Sequence, residues 1–156
     1  MEQQEFVRRT EVVKARLYRT AYAYLGSEAA VLDAVDEAVY QGLRHLRQLR
    51  EDALFETWLT RILINECNRE LRRLKRARPA EYLPEESEDF NYDALPLREA
   101  VARLPRDLRQ VIVLRYFGDL TLVQTAGTLN IPQGTVVTRQ RKALALLKIS
   151  LKEGAT

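Results

Sequence analysis

The sequence contains one cysteine, one histidine and one tryptophan, and these shortages limit the chemistry that the chain can perform. A single cysteine excludes an internal disulfide framework and a cysteine-based zinc site. The single histidine, His45, has no second histidine or cysteine with which to complete a metal site. The sequence also lacks a glycine-rich phosphate loop, a nucleophile elbow and a motif with paired catalytic carboxylates. We therefore expect no cofactor, no metal, no small-molecule substrate and no catalysis by the isolated chain.

Long hydrophobic runs are also absent. No stretch approaches the roughly twenty apolar residues that a membrane-spanning helix needs. The first ten residues, MEQQEFVRRT, lack the apolar run that is typical of a signal peptide. We therefore expect a cytoplasmic protein that does not insert into a membrane. Cys67 falls on the apolar side of a predicted helix, where we expect a core residue.

Charge is distributed unevenly along the 156 residues, although the net charge is only +3. Residues 1–78 carry 15 basic and 12 acidic side chains, residues 79–96 carry none and 6, and residues 97–156 carry 10 and 4. The middle segment has three prolines and no apolar periodicity, which is typical of a linker. We therefore predict small helical domains at 1–78 and 97–156, joined by a flexible acidic linker at 79–96. The alternative, an irregular loop inside one domain, would be unusually long.

The stretch TLVQTAGTLNIPQGTVVTRQRKALALL has the pattern of two short helices joined by a tight turn. Thr121 and Gln124 have the spacing of a capping box, so a helix should begin there, and Ala126 is small where two helices would cross closely. Asn130 suits the turn because asparagine tolerates a left-handed backbone, and the second helix should start near Gln133. A basic second helix of this kind fits the major groove of duplex DNA.

The two sides of that second helix differ in chemistry. Apolar residues at helical spacing are expected to face inward; they are Val136, Ala143, Leu144 and Leu147. The other side carries side chains able to read base edges or to contact phosphates. These candidate DNA-binding residues are Gln133, Thr135, Val137, Thr138, Arg139, Arg141 and Lys142. The alternative is an ordinary helical hairpin with a solvated basic face.

The first 78 residues have helical periodicity almost throughout. Gly26 suits the position after the end of a first helix, and Ser27 suits the cap of the next one. The apolar stripe of the first helix consists of Val13, Leu17, Ala21, Tyr24 and Leu25. The predicted buried side of the second consists of Val31, Leu32, Val35, Ala38, Val39, Leu43 and Leu46.

Another face of the second helix is acidic. Asp33, Asp36 and Glu37 gather there at spacings of three and four residues. Like charges at the four-residue spacing repel by roughly 0.2–0.5 kcal/mol, and nothing nearby in the sequence compensates them. We interpret this face as a docking surface for a basic protein partner. A merely solvated face is the alternative.

A third helix is predicted from near Phe55 to about Arg76, with a continuous apolar stripe. The stripe consists of Phe55, Trp58, Leu59, Ile62, Leu63, Cys67, Leu71 and Leu74. Its end, RELRRLKRAR, contains six basic residues. Basic residues in a last turn stabilise the helix dipole, which is the simpler explanation. So many basic residues also favour binding to the negatively charged backbone of a nucleic acid.

Together these motifs resemble a known family. The string FETWLTRILINECNRELRR, the DAVDE helix before it, and LPRDLRQVIVLRYF with the helix-turn-helix after it resemble the extracytoplasmic-function (ECF) group of the sigma-70 family of bacterial RNA polymerase initiation factors. The resemblance covers nearly the whole chain. It implies an all-α fold with a region 2 helical bundle and a region 4 helix-turn-helix. It also implies an alternative sigma factor that binds core RNA polymerase, directs promoter-specific initiation and is controlled by an anti-sigma factor.

The resemblance also implies a role for each charged surface. The acidic second helix of such factors binds the clamp helices of the largest polymerase subunit, a role that would fall to Asp33, Asp36 and Glu37. The next loop and the third helix open the minus-ten element of the promoter and hold its single strand. By position, these are the segment Leu46 to Phe55 together with Asn65, Arg69, Arg72 and Arg73. The last helix reads the minus-thirty-five duplex, which maps onto Gln133 to Lys142.

Four residues depart from the family pattern. Asp36 stands where the family commonly has Gln, and Val137 stands where it commonly has Lys. Thr125 replaces a customary apolar residue, and Asn130 replaces a customary Gly. The hydroxyl of Thr125 must find a hydrogen bond or face solvent.

Two other classes of protein fit parts of the sequence. A stand-alone helix-turn-helix regulator with a helical dimerisation or sensing domain would need a self-complementary apolar surface. An adaptor that binds another protein through the DAVDE helix without touching DNA would have neutral outer faces on the third and last helices. Neither face is neutral, so the adaptor is disfavoured.

Overall fold

A computed structural model describes residues 1–77 and 95–154 of the chain. Every secondary-structure element in these ranges is a helix or a helical turn. The described residues fall into two compact units, one on each side of residues 78–94. The predicted fold class of two small helical domains is therefore confirmed. The predicted linker lies outside the described residues, except for Leu95 and Pro96.

The first unit consists of three long helices and two short 3-10 turns. The helices are α1 Gln3–Leu25, α2 Glu28–Arg44 and α3 Phe55–Ala77, and the turns Leu46–Gln48 and Asp52–Leu54 connect α2 to α3. Gly26 ends α1 with a left-handed φ of 69°. The hydroxyl of Ser27 caps α2 by accepting a hydrogen bond from the N–H of Ala30 at 3.5 Å. Both predicted caps are therefore confirmed.

Helices α1 and α3 of the first unit meet at Phe55, which is fully buried. The ring of Phe6 contacts it edge-on, with the ring centroids 5.7 Å apart. The guanidinium of Arg9 lies 4.8 Å from the centroid of the Phe55 ring. Cys67 is also fully buried, as predicted, and burial raises the pKa of its thiol. It is therefore an unreactive core residue.

Two residues of α2 that the sequence pattern assigned to the core are exposed: Leu32 at 45% and Leu43 at 37%. The buried stripe includes smaller residues that the pattern missed, namely Ala34 and Gly42. A Cβ on Gly42 would lie only 3.0 Å from Cδ1 of Leu59, so α2 and α3 approach closely there. Leu32 and Leu43 each follow a stripe residue by one position, and one position turns a side chain by about 100°. Both leucines therefore point away from the core.

The second unit consists of four helices and one π-helical turn. The elements are α4 Leu95–Arg103, α5 Arg106–Ile112, the π-helical turn Val113–Phe117, α6 Leu122–Leu129 and α7 Gln133–Gly154. Helix α4 includes Leu95 and Pro96, which the sequence pattern placed at the end of the linker. Proline does not prevent this, because the N–H groups in the first turn of a helix have no intrahelical acceptor.

Helices α6 and α7 form the predicted helix-turn-helix. Thr121 and Gln124 make a complete capping box, with N···O distances of 2.9 and 3.1 Å. Asn130 ends α6 with a φ of 56°, in the left-handed region expected for it. The core between the helices consists of Val111, Ala126 and Val136, with Leu122, Leu129 and Ile131 packed against it. Local capping and this small core together fix the turn.

Thr125 and Leu144, two further residues of the helix-turn-helix, differ in their burial. Thr125 is fully buried and donates its hydroxyl hydrogen to the carbonyl oxygen of Thr121 at 2.8 Å, which satisfies the predicted requirement. Leu144 was expected to face inward and is 42% exposed. Its neighbour Ala143 is fully buried, so Leu144 lies about 100° beyond the buried stripe.

We predict that Phe55→Ala destabilises the chain by about 3–5 kcal/mol, the usual cost of removing a buried aromatic ring. Leu54→Ala is the matched control because Leu54 is 51% exposed, and its effect should stay within about 0.5 kcal/mol. Urea unfolding followed by circular dichroism measures both changes. Equal effects of the two substitutions would contradict this account of the core.

Candidate nucleic-acid and partner-binding surfaces

The outer face of α7 carries the residues that were predicted to bind DNA. Five of the seven are exposed: Gln133, Val137, Thr138, Arg141 and Lys142. At about 100° per residue these five span about half of the helix circumference. Thr135 and Arg139 are half-buried and lie beside the buried stripe. The side of α7 that is able to enter a groove is therefore centred near Thr138 and Arg141.

The first turn of α7 is sterically open on this side. A Cβ on Gly134 would meet no atom within 4 Å. Backbone N–H groups in the first turn of a helix lack intrahelical acceptors and favour anions. The hydroxyl of Thr138 donates to the carbonyl oxygen of Gly134 at 3.0 Å, which leaves its lone pairs available as acceptors. This end of α7 can therefore approach a phosphate backbone closely.

The exposed side of α3 carries a second polar and basic row. Asn65, Arg69, Arg72 and Arg76 are all exposed, and their spacings of three and four residues place them along one side of the helix. At 1.5 Å per residue the row is about 16 Å long. The structure thus brings together Asn65, Arg69 and Arg72 of the predicted strand-binding set.

Arg73, the fourth member of that set, lies at the edge of this row, on the side toward α2. It donates from Nε and Nη2 to the carboxylate of Glu70, and this hydrogen-bonded pair raises the pKa of Arg73. The negative charge of Asp33 on α2 acts in the same direction. Arg69 has a looser acidic partner, with Nη1 3.8 Å from Oε1 of Glu66. Arg73 is thus close to the acidic face of α2.

That acidic face contains more carboxylates than the sequence pattern indicated. Asp33 and Asp36 are exposed, and Glu37 is half-buried and accepts a hydrogen bond from Nε2 of Gln41 at 2.8 Å. Glu66 of α3 lies near Glu37 and is only 9% exposed. Burial raises the pKa of Glu66, Arg69 opposes this, and the charge of Glu37 adds to it. The spacing within α2 gave no signal for Glu66, because its place depends on how α3 packs.

The connection between α2 and α3 is fastened to α1. Arg9 donates from Nη1 to the carbonyl oxygen of Asp52 at 2.8 Å, and the α-amino group of Met1 lies 3.7 Å from the Asp52 carboxylate. Leu46 and Leu49 are buried, whereas residues 50–54 are exposed. The connection therefore presents exposed side chains from a backbone that is held in place.

His45 has a local structural role at the end of α2, where its Nδ1 lies 3.0 Å from the carbonyl oxygen of Gln41. Within residues 1–77 and 95–154, no three His, Cys, Asp or Glu side chains are grouped so as to hold a metal ion. No helix in the same ranges is long and apolar enough to cross a bilayer.

Comparison with known families gives two matches, one in each unit. The family described as sigma-70 region 2 matches residues 11–77, and the family described as sigma-70, region 4 matches residues 100–148. The first match covers α2, α3 and most of α1. The second covers the helix-turn-helix. The two regions occur in this order along the chain.

Individual relatives support the same grouping. The chain is 32% identical to the RNA polymerase sigma factor SigV of Bacillus subtilis (strain 168), over 88% of this chain and 86% of that protein. It is 26% identical to the ECF RNA polymerase sigma factor SigW of the same organism, over 97% and 91% of the two chains. In fold it is similar to the sigma factor RpoE of Bartonella quintana, solved in complex with the anti-sigma factor NepR. That likeness has a TM-score of 0.79 at 18% identity and covers 96% of this chain and 98% of RpoE.

We predict that Glu66→Gln stabilises the chain at pH 7. The folded-state pKa of Glu66 lies above its unfolded value, so folding favours the protonated acid, and the carboxylate form opposes folding at neutral pH. The advantage of the amide should shrink as pH falls through the folded pKa toward the unfolded value of about 4.3. Urea unfolding at several pH values measures it. Glu11→Gln, at an exposed position, is the control, and a Glu66→Gln variant less stable than the parent at pH 7 would contradict the prediction.

Proposed function

The chain belongs to the ECF group of the sigma-70 family, and on that basis we propose which of its residues carry out each part of promoter recognition. As a member of this group it binds core RNA polymerase and directs promoter-specific transcription initiation. The observation that carries this conclusion is the occurrence of both sigma regions in order, at residues 11–77 and 100–148. The polymerase supplies the chemistry, and we assign no catalytic residue to this chain.

The acidic face of α2 is our proposed polymerase-binding surface. Asp33, Asp36 and Glu37 would contact the clamp helices of the largest subunit. Support comes from the exposure of both aspartates and from the exposed leucines of α2, Leu32 and Leu43, which add apolar contact area beside the charges. Complementary charge chiefly accelerates association and fixes orientation, while apolar burial supplies much of the affinity.

We assign the minus-ten element to the exposed row of α3 and the segment Leu46 to Phe55. Asn65, Arg69 and Arg72 would contact the separated non-template strand, with Arg73 at the edge of the site. A cationic groove that binds the single strand better than the duplex favours strand opening. Support comes from the length of the row and from the exposed side chains of the fastened connection.

We assign the minus-thirty-five element to α7. Val137, Thr138 and Arg141 occupy the middle of its exposed face and would meet base edges. Gln133 and Lys142 would lie nearer the phosphates, with the half-buried Thr135 and Arg139 at the margin. Val137 is able to contact a thymine methyl group, whereas a basic residue at the same position would contact phosphate.

Domain limits, control and location complete the proposal. The polymerase-binding domain would span residues 1–78, the acidic linker 79–94, and the minus-thirty-five domain, which begins with α4, 95–156. An anti-sigma factor would hold the chain inactive, as NepR forms a complex with the similar RpoE. The chain would act in the cytoplasm, together with core polymerase.

Run-off transcription tests the function directly. Purified chain is added to polymerase that lacks any sigma factor, with a library of templates carrying random upstream sequence. We expect transcripts only when the chain is present, from templates that share two sequence elements. Absence of chain-dependent transcripts from the whole library would refute the assignment and would favour a stand-alone helix-turn-helix regulator.

We predict that Arg141→Ala weakens promoter binding. The cost should be about 1–3 kcal/mol at one base position if the side chain grips a base. If it contacts phosphate instead, the slope of log binding constant against log salt concentration should fall by about one. Arg106→Ala, an exposed arginine on α5, is the control and should change neither quantity. Unchanged binding and unchanged slope for Arg141→Ala would remove the residue from the interface.

We predict that joint reversal of Asp33 and Glu37 to lysine abolishes co-purification with core polymerase, because two contacts become repulsive. Helical content should persist, as circular dichroism would show. Reversal of Glu2, the N-cap residue of α1, together with Glu11 on α1 changes the net charge equally and should leave co-purification intact. Normal association of the α2 variant would contradict the assigned surface.

A further inference from the structure

One arginine connects both helices of the helix-turn-helix to the turn that precedes them. Arg115 lies in the π-helical turn Val113–Phe117, and its Nε donates to Oε1 of Gln140 on α7 at 3.0 Å. Its Nη1 donates to the carbonyl oxygen of Leu120 at 2.9 Å. Leu120 directly precedes Thr121, the N-cap of α6. A single guanidinium therefore holds the start of α6 and the middle of α7.

The backbone around Arg115 has an unusual geometry that sets this reach. The N–H of Gly118 donates to the carbonyl oxygen of Val113 at 2.9 Å, the five-residue spacing of a π-helical turn. Asp119 follows with a left-handed φ of 55°, and Leu120 is 2% exposed. Such turns frequently occur at functional sites. Here the turn brings the guanidinium between the loop and α7.

Gln140 is held on both sides. Its Oε1 accepts from Arg115, and its Nε2 donates to the hydroxyl of Tyr116 at 3.4 Å. The residue directly follows Arg139 and directly precedes Arg141. An anchor at Gln140 therefore acts on the segment of α7 that carries the assigned DNA contacts.

Apolar packing decides which side of α7 is buried, but it does not by itself fix the rotation of the helix as closely as contacts with base edges require. Val136, Ala143 and Leu147 form the buried side of α7, and hydrophobic burial is not directional. The ends of the side chains lie about 5–6 Å from the helix axis. Rotation of α7 by about 20° around that axis would therefore move them by about 2 Å. Hydrogen bonds to base edges tolerate only about 0.5 Å in length. A directed polar anchor adds to this packing and holds the face of α7 in register more closely.

We propose that Arg115 is a positioning residue for minus-thirty-five recognition, which fixes the rotation of α7 through Gln140 without contacting DNA. This inference rests on the proposed role of the second unit. Arginine suits the task because its planar fork offers two donors in a rigid arrangement, whereas lysine presents a single ammonium point charge. The positioning of α7 therefore depends on an arginine at position 115 and not on positive charge alone.

The experiment uses the full chain with core polymerase and a promoter obtained by the library transcription described above. The measured quantity is the ratio of run-off transcript from this promoter to transcript from a template with a scrambled upstream element. Arg115→Lys, Arg115→Gln, Gln140→Ala and the double variant Arg115→Gln with Gln140→Ala are compared with the parent. Arg106→Gln is the charge-matched control. Salt dependence of binding to the upstream duplex is measured for each.

We expect the ratio to fall about tenfold for Arg115→Lys, for Arg115→Gln and for Gln140→Ala, since a hydrogen bond to a charged group is worth about that much. The double variant should be no worse than Arg115→Gln, and the salt slope should stay at the parental value throughout. Gln140→Ala keeps Arg115 and its charge, so it tests the proposal even if an Arg115 variant unfolds at a lower temperature.

A parental ratio for Arg115→Lys or for Gln140→Ala would overturn the proposal. So would a salt slope reduced by about one in Arg115→Gln, which would identify Arg115 as a phosphate contact. If the parental chain itself gives no transcript from the library, the proposed function fails, and this inference fails with it.

Discussion

A helix can bury only one stripe of its surface, and in both units the burial of that stripe decides which charged side chains face solvent. In α3 the stripe through Phe55, Leu59 and Cys67 is fully buried, so Asn65 and its basic neighbours are turned outward. In α7 the burial of Val136 and Ala143 does the same for Arg141. Hydrophobic burial supplies the main stabilising free energy of such small domains. The placement of charge for recognition is therefore coupled to folding.

The electrostatic design uses opposite charges on adjacent helices. The acidic face of α2 continues onto α3 at Glu66 and Glu70, while the basic row of α3 runs along a neighbouring side of the same helix. The pair between Arg73 and Glu70 lies between these surfaces. A basic protein surface and a nucleic-acid strand can thus bind side by side, as expected of a factor that connects polymerase to DNA. Because long-range attraction between exposed charges is screened by salt, both associations should weaken as ionic strength rises.

Local sequence signals predicted the helix-turn-helix well. The capping box at Thr121, the left-handed Asn130 and the small Ala126 depend on neighbours within a few residues, so the sequence alone was sufficient. Tertiary features were harder to predict. Leu32, Leu43 and Leu144 lie one position off a buried stripe, and only the packed helices show that they are exposed.

The place of Glu66 and the contacts of Arg115 could likewise not be predicted from the sequence. The carboxylate of Glu66 joins the acidic face only because α3 packs against α2, and Arg115 reaches Gln140 across 25 positions of sequence. The π-helical turn has no pattern of its own that periodicity analysis could detect. Signals of this kind arise from the approach of distant segments, which spacing along one helix does not encode.

The central claim is that α3 and α7 contact two separate promoter elements in one complex with polymerase. Photo-crosslinking from position 65 and from position 141, within the complete complex on a single promoter, tests it most directly. Position 141 should crosslink to the upstream duplex, and position 65 should crosslink to the non-template strand of the opened element. Crosslinks from both positions to the same element, or none from position 65 to the opened strand, would contradict it.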